Sequence, residues 1–168
     1  MMRTSMALFA LGVLAAAAAA QNANPIGKGM LNPNAPIDIS ANSFSADDAT
    51  KTAVYTGNVI VHQGEVALRA NAMHAHFVRN SPDRITAHGN VVIVAPSGTA
   101  TGDNGVYDVN PRVITLTGNV VLTKDKNVMR GQQLTVNLIT GQAVLDGGQG
   151  QGGRVQALFT PKSETQNP

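Results

Sequence analysis

Three groups of residues in this chain have types and spacings that could do chemistry. His74 and His76 stand two apart, with His62 and His88 elsewhere in the chain. Two imidazoles on one strand face are a start toward a zinc or copper site. The chain has no Cys, and no carboxylate stands beside the pair at ligand spacing. The reading adopted is therefore solvent-facing histidines on the outer face of a sheet, with no metal site. Asp103 and Asp108 lie five apart and could serve as an acid–base pair. However, Gly102-Asp103-Asn104-Gly105 is turn chemistry. Gly148, Gly150 and Gly153 match G-x-G-x-x-G, whose dinucleotide reading needs a strand before and a helix after. A strand-like run at 155–159 follows instead, so the glycines read as a hairpin loop. No G-x-S-x-G, phosphate loop or Cys nucleophile is present. The expectation is no catalytic residue, no cofactor and no enzyme.

The elements that position these residues follow from a repeat. Gly57-Asn58-Val59 returns as Gly89-Asn90-Val91 and as Gly118-Asn119-Val120, at spacings of 32 and 29 residues. Such a period marks a chain built by stacking one supersecondary unit. The residues four and two before each glycine, and two and four after it, are Ala53, Tyr55, Val59, Val61; Ile85, Ala87, Val91, Ile93; and Ile114, Leu116, Val120, Leu122. All are apolar or aromatic, while the interleaved positions are mixed. Side chains alternate between the faces of a strand, so one face is uniformly apolar and the other wetter. The glycine interrupts the apolar face in mid-run, where it marks a bulge or bend.

Each copy turns back, at 63–65, 96–98 and 124–127. In the return runs Met73, Ala75, Phe77 align with Gly105, Tyr107, Val109 and with Leu134, Val136, Leu138. A partial last copy ends in a run where Val155, Ala157 and Phe159 share a face, and Pro161 stops it. No long window carries a helical stripe, and Glu and Lys are scarce. At five or six residues per strand this predicts roughly a dozen antiparallel strands. A sheet with one apolar face must fold onto itself or a second sheet. A jelly roll or an elongated, solenoid-like sheet follows, with free edges at its first and last strands.

The ends read differently. Met1-Met2-Arg3 is a positive start, 6–14 is apolar, 15–20 is all alanine, and Ala18-Ala19-Ala20 fits signal cleavage. A secretory signal peptide over 1–20 is expected. An uncleaved anchor is the alternative, but alanine replaces bulk where an anchor needs it. The type of signal points to a bacterial periplasm. Residues 21–35 read as a flexible leader and 162–168 as a polar tail. Without Arg3, eleven Lys and Arg face ten Asp and Glu, a net charge of +1. That is no footprint for nucleic acid. Lacking Cys, the domain is held by burial and hydrogen bonds alone.

The stretch PIDISANSFSADDATKTAVYTGNVIVHQGEVALRANAMHAHF resembles the start of the OstA-like domain. HGNVVI, GTATGDNGVYDV, VITLTGNVVLTKDKNVMRGQQLTVNLITGQAVL and GRVQALFTP continue it. The resemblance covers about 36–161 and is to the periplasmic bridge members of this lipopolysaccharide-transport family. It implies an open, slightly twisted β-jellyroll that is not an enzyme. Its interior would carry lipopolysaccharide (lipid A) acyl chains. It would pair by edge strands with LptC-like and LptD-like proteins and with further copies head to tail. An LptC-like member would keep an N-terminal membrane helix, against which Ala18-Ala19-Ala20 argues. The interior candidates are Ile37, Ile39, Tyr55, Val59, Val61, Ile85, Val91, Ile93, Tyr107, Ile114, Leu116, Val120, Leu122, Leu134, Val136 and Phe159. The edge candidates are Ile37, Ile39, Val155, Ala157 and Phe159. A dry-cored scaffold with no ligand, and a small metal-binding protein using His74 and His76, are the rival readings.

Overall fold

Val, Ile and Thr are frequent in the long runs between turns, most of all in β3 and β7, and these runs pair into one antiparallel sheet. The computed structural model describes residues 35–149 and 153–160. The expected signal peptide, nearly all of the leader, Gly150 of the glycine motif, and the tail lie outside the described residues.

The strands are β1 (Ile37–Ser40), β2 (Ser43–Asp47), β3 (Thr52–Gln63), β4 (Val66–Val78), β5 (Ser81–Ala95), β6 (Gly98–Asp108), β7 (Val113–Lys124), β8 (Asn127–Asn137), β9 (Ala143–Asp146) and β10 (Gln156–Leu158). β3 to β8 form a meander in chain order. β1 pairs with Ile60 to Gln63 and β2 with Thr52 to Thr56, so together they make one broken rung along the outer side of β3. β9 and β10 do the same for β8. The dozen short strands expected from sequence are ten among the described residues, and six of them run 11 to 15 residues. The difference lies in the glycine repeat, which bends a strand without ending it.

At each repeat two residues oppose one. Thr56 pairs with Ala72 and Val59 with Ala70, leaving Gly57 and Asn58 opposite Asn71. The same shift falls between His88 and Val91 and between Thr117 and Val120. Both bulge residues are left-handed: φ is 82° and 46° at Gly57 and Asn58, 75° and 49° at Gly89 and Asn90, and 78° and 45° at Gly118 and Asn119. Glycine adopts this region freely, and Asn tolerates it better than most residues. A polar side chain fills the place of the missing Cβ, from the break between β1 and β2 at Gly57 and from the preceding strand at Gly89 and Gly118. A Cβ on Gly57 would lie 2.6 Å from Asn42 Nδ2 and one on Gly89 2.5 Å from Asn71 Nδ2. At Gly118 the occupant is the Asp103 carboxylate, which also accepts a 2.9 Å hydrogen bond from Asn119 Nδ2.

The bend splits every long strand into two arms, one ending with β2 and β9, the other with β1 and β10. Apolar rungs cross the whole sheet in each arm. In the β2/β9 arm, Phe44, Tyr55, Met73, Ala87, Gly105, Leu116, Leu134 and Leu145 are successive partners. In the β1/β10 arm the rung is Ile39, Val61, Leu68, Ile93, Ala100, Leu122, Met129 and Ala157. Residues of both arms join one core cluster, so the two inner faces pack on each other. Leu116, Leu134, Val91 and Val120 are its largest fully buried side chains.

Asp47 ends β2 and starts the turn into β3. Its Oδ1 accepts from Ala49 N at 2.8 Å and Thr50 N at 3.2 Å. These backbone bonds hold its carboxyl below the usual carboxylate value of 3.8. The turn is therefore fully stabilised above pH 3.8 and loses that support as the pH falls through the lower folded value. Asp47→Asn keeps an acceptor and removes the titration. Its unfolding midpoint is expected to depend slightly less steeply on acid than the wild type's, measured by thermal melts across the acid range; identical acid limbs would remove this role.

Candidate functional site

The inner faces do not close evenly. Toward the β1/β2 end they part into a trough of about 280 Å³ lined from β1 and β3 to β7. Ile37, Ile39, Val61 and Leu68 line it from the β1/β10 arm, and Tyr55, Ile85, Tyr107 and Ile114 from the β2/β9 arm. Ala75, Ala87 and Gly105, on adjacent strands, leave the space: a Cβ on Gly105 would already lie 3.1 Å from Leu116 Cδ2. Toward the β9/β10 end larger residues, Leu122, Leu134 and Val136, fill the gap and the core becomes solid.

Ten interior candidates line the trough: Ile37, Ile39, Tyr55, Val61, Ile85, Val91, Ile93, Tyr107, Ile114 and Leu116. Five others are buried outside the lining: Val120, Leu122, Leu134 and Val136 in the solid core, and Val59 beside the bend of β3. Phe159 overturns its expected interior place, being 65% exposed. The last strand pairs only Gln156, Ala157 and Leu158 with Arg130, Met129 and Val128, and Phe159 lies past it. Thr160 then ties the chain to the β7–β8 turn, its N donating to Asn127 Oδ1 at 3.2 Å and its hydroxyl to Lys126 O at 3.3 Å. Met73, Ala75, Phe77, Ala87 and Gly105 line the trough too, at positions whose alternation had marked them as inward-facing. Pro82 and Val106 carried no such signal.

The lining holds no charged side chain; its polar members are Gln63 and the two tyrosines. Gln63 Nε2 donates to Ala35 O at 3.3 Å. Burial raises the Tyr107 hydroxyl above its usual range, against a smaller opposing pull from the Arg112 charge. It is therefore neutral at physiological pH, and an uncharged trough favours apolar matter.

The chemistry-bearing residues lie elsewhere. Asp108 Oδ1 accepts from Arg84 Nε at 2.7 Å, while Asp103 sits at the bend. Five residues of strand separate them by about 16 Å, too far for one acid–base site. His74 meets His88 edge to face at 5.7 Å, and His88 Nδ1 lies 3.0 Å from Asn104 Oδ1. His76 lies 3.9 Å from Asp83 Oδ2, so His74 and His76 turn to different neighbours. Both ends of the sheet carry exposed apolar groups beside unpaired strand edges: Ile37 and Phe44 at one end, Leu158 and Phe159 at the other.

Comparison with known proteins matches this geometry. A family model described as LptA/(LptD N-terminal domain) LPS transport protein matches residues 38–142. An uncharacterized protein of Rhizobium meliloti (strain 1021) is 34% identical over 98% of this chain and 95% of its own length. The crystal structure of LptH from Pseudomonas aeruginosa, described as the LptA-homologous periplasmic component of the lipopolysaccharide transport device, superposes with a TM-score of 0.68. It is 22% identical and covers 76% of this chain and 96% of its own, which establishes the shared open β-jellyroll fold.

Proposed function

Because the chain belongs to the LptA/LptD N-terminal domain family of lipopolysaccharide-transport proteins, a non-enzymatic family, we propose that its trough holds lipopolysaccharide acyl chains on the way to the outer membrane. The observation that carries this reading is the uncharged, apolar trough. Its volume is just below the roughly 300–1,000 Å³ of enclosed ligand pockets, and it is open to solvent rather than enclosed, so longer chains extend beyond it. Each buried CH₂ contributes about 0.8 kcal/mol, so even short acyl segments bind appreciably. The sugars stay in water.

The same reading places the protein in the periplasm, exported by a cleavable signal peptide over 1–20. LptC-like and LptD-like proteins, and further copies head to tail, add strands to its free edges. One docking edge is β1, with Ile37 and Ile39. The other is β10, with Ala157 inside the strand and Val155 and Phe159 flanking it.

A photo-crosslinking residue at Ile85 or Ile114 is expected to capture lipid A in cells. One at Thr86 or Thr115, the next position along each strand and on the opposite face, is not. Equal capture from both faces, or none from either, would sink the trough reading and favour a dry scaffold.

A further inference from the structure

Two rows of turns flank the trough as its lips: its lining reaches Phe77, Pro82, Tyr107 and Ile114 beside one row and Gln63 and Val66 beside the other. One lip carries the turns before β3, between β4 and β5, and between β6 and β7. The opposite lip carries the turns after β3, β5 and β7.

These lips differ in what they put at left-handed positions. On the first lip such positions are Lys51 (φ 53°), Arg79 (φ 48°) with Asn80 (φ 66°), and Arg112 (φ 54°). On the second they are Gly64 (φ 59°), Gly98 (φ 141°) and Asp125 (φ 54°). Glycine or Asn fits this conformation with least strain. A cation there in all three turns of one lip asks for a use of its charge.

Two of the three cations stand without a carboxylate. Lys51 pairs with Asp48, and the neighbouring Arg84 pairs with Asp108. Asp83 accepts a hydrogen bond from Asn110 Nδ2 and faces His76. Among the described residues no ion pair or hydrogen bond engages the side chain of Arg79 or Arg112, and both residues are exposed. They sit on turns two strands apart, a separation of about 10 Å along the lip. Between them, Phe77, Pro82, Tyr107 and Ile114 line the trough beneath. Arg112 is close enough for its charge to act on Tyr107.

Resting on the acyl-chain reading above, we propose that Arg79 and Arg112 form a second contact for the same ligand: they grip the phosphate groups of its headgroup while its chains fill the trough. Guanidinium suits this role, since its planar donors match phosphate oxygens. The contact orients the lipid, chains inward and phosphates toward this lip. It also selects anionic, phosphorylated lipids over uncharged ones of equal chain length.

The test uses the full chain with two probes of identical acylation: diphosphoryl lipid A and the same lipid with both phosphates removed. The wild type is expected to bind the phosphorylated form roughly tenfold more tightly, as two exposed charge pairs would give, with the preference shrinking as salt rises. Arg79→Gln with Arg112→Gln erases the preference and leaves binding of the dephosphorylated lipid unchanged. Lys51→Gln, whose charge is already taken by Asp48, leaves the preference intact, and inorganic phosphate does not displace the lipid. Both arginines are exposed, so thermal midpoints stay at the wild-type value. A double variant that keeps the preference, or a wild type that binds both lipids equally, overturns the proposal while leaving the trough reading standing. Failure of the wild type to bind either lipid overturns both.

Discussion

Gly118→Val is expected to destabilise the protein by about 3 kcal/mol. A residue with a branched Cβ at φ 78° is strained by roughly 1–2 kcal/mol. The new Cβ also collides with Asp103: its Cβ and Cγ stand 2.9 Å away, and the carboxylate is nearer still. Pushing that carboxylate aside breaks its bond to Asn119 Nδ2, a further loss of about 1 kcal/mol or more. Against a typical stability of about 5–15 kcal/mol, this is a large fraction for one side chain. Denaturant melts measure it. A double-mutant cycle separates the causes: in an Asp103→Ala background the clash with Cγ and the carboxylate is gone and only the Cβ contact remains, so Gly118→Ala should cost less than it does in the wild type. If Gly118→Val melts like the wild type, the bend does not depend on this glycine.

Ile85→Asp with Ile114→Asp should abolish lipid capture without unfolding the chain. The two residues flank Tyr107 in one rung of the trough wall and are half-buried. Each isoleucine contributes about 1.5–3 kcal/mol if an acyl chain covers it, so losing both weakens binding on the order of a thousandfold or more. A carboxylate beneath the chain adds its own desolvation penalty. Leu134→Asp makes the contrast. Leu134 is 1% exposed in the solid core, so a charge there should prevent folding altogether. Co-purified lipid, quantified by mass spectrometry beside a thermal melt, reads both effects. A trough double variant that retains lipid at the wild-type level would mean that the lipid sits elsewhere.

Much of this architecture was legible in the sequence, for a local reason. Gly-Asn-Val recurs because each bulge needs two left-handed residues in a row, and alternation through Ile85, Ala87, Val91 and Ile93 marks the inner face of β5 directly. The return strands were harder. Their inner positions run Val66, Leu68, Ala70 and then Met73, Ala75, Phe77, a three-residue step where one residue faces two across the bend. β2 escaped notice because Ser43-Phe44-Ser45-Ala46-Asp47 is fully exposed and lies on one edge of β3 as the continuation of β1. The site was half legible. Whether an inner residue lines the trough or seals the core depends on the bulk facing it across the two arms. Leu116 and Leu134 are alike in sequence pattern and neighbours in one rung, yet only Leu116 borders the space. Phe159 failed because alternation says which face a residue takes but not where pairing stops.

The pairing order carries one more consequence. Each long strand bonds the strands before and after it in the chain, and every copy of the bend is one hairpin from the next. The length of the conduit is therefore quantised. A further copy of about 30 residues, spliced in as one hairpin, would lengthen the walls by two strand spacings, about 10 Å, and alter no other connection.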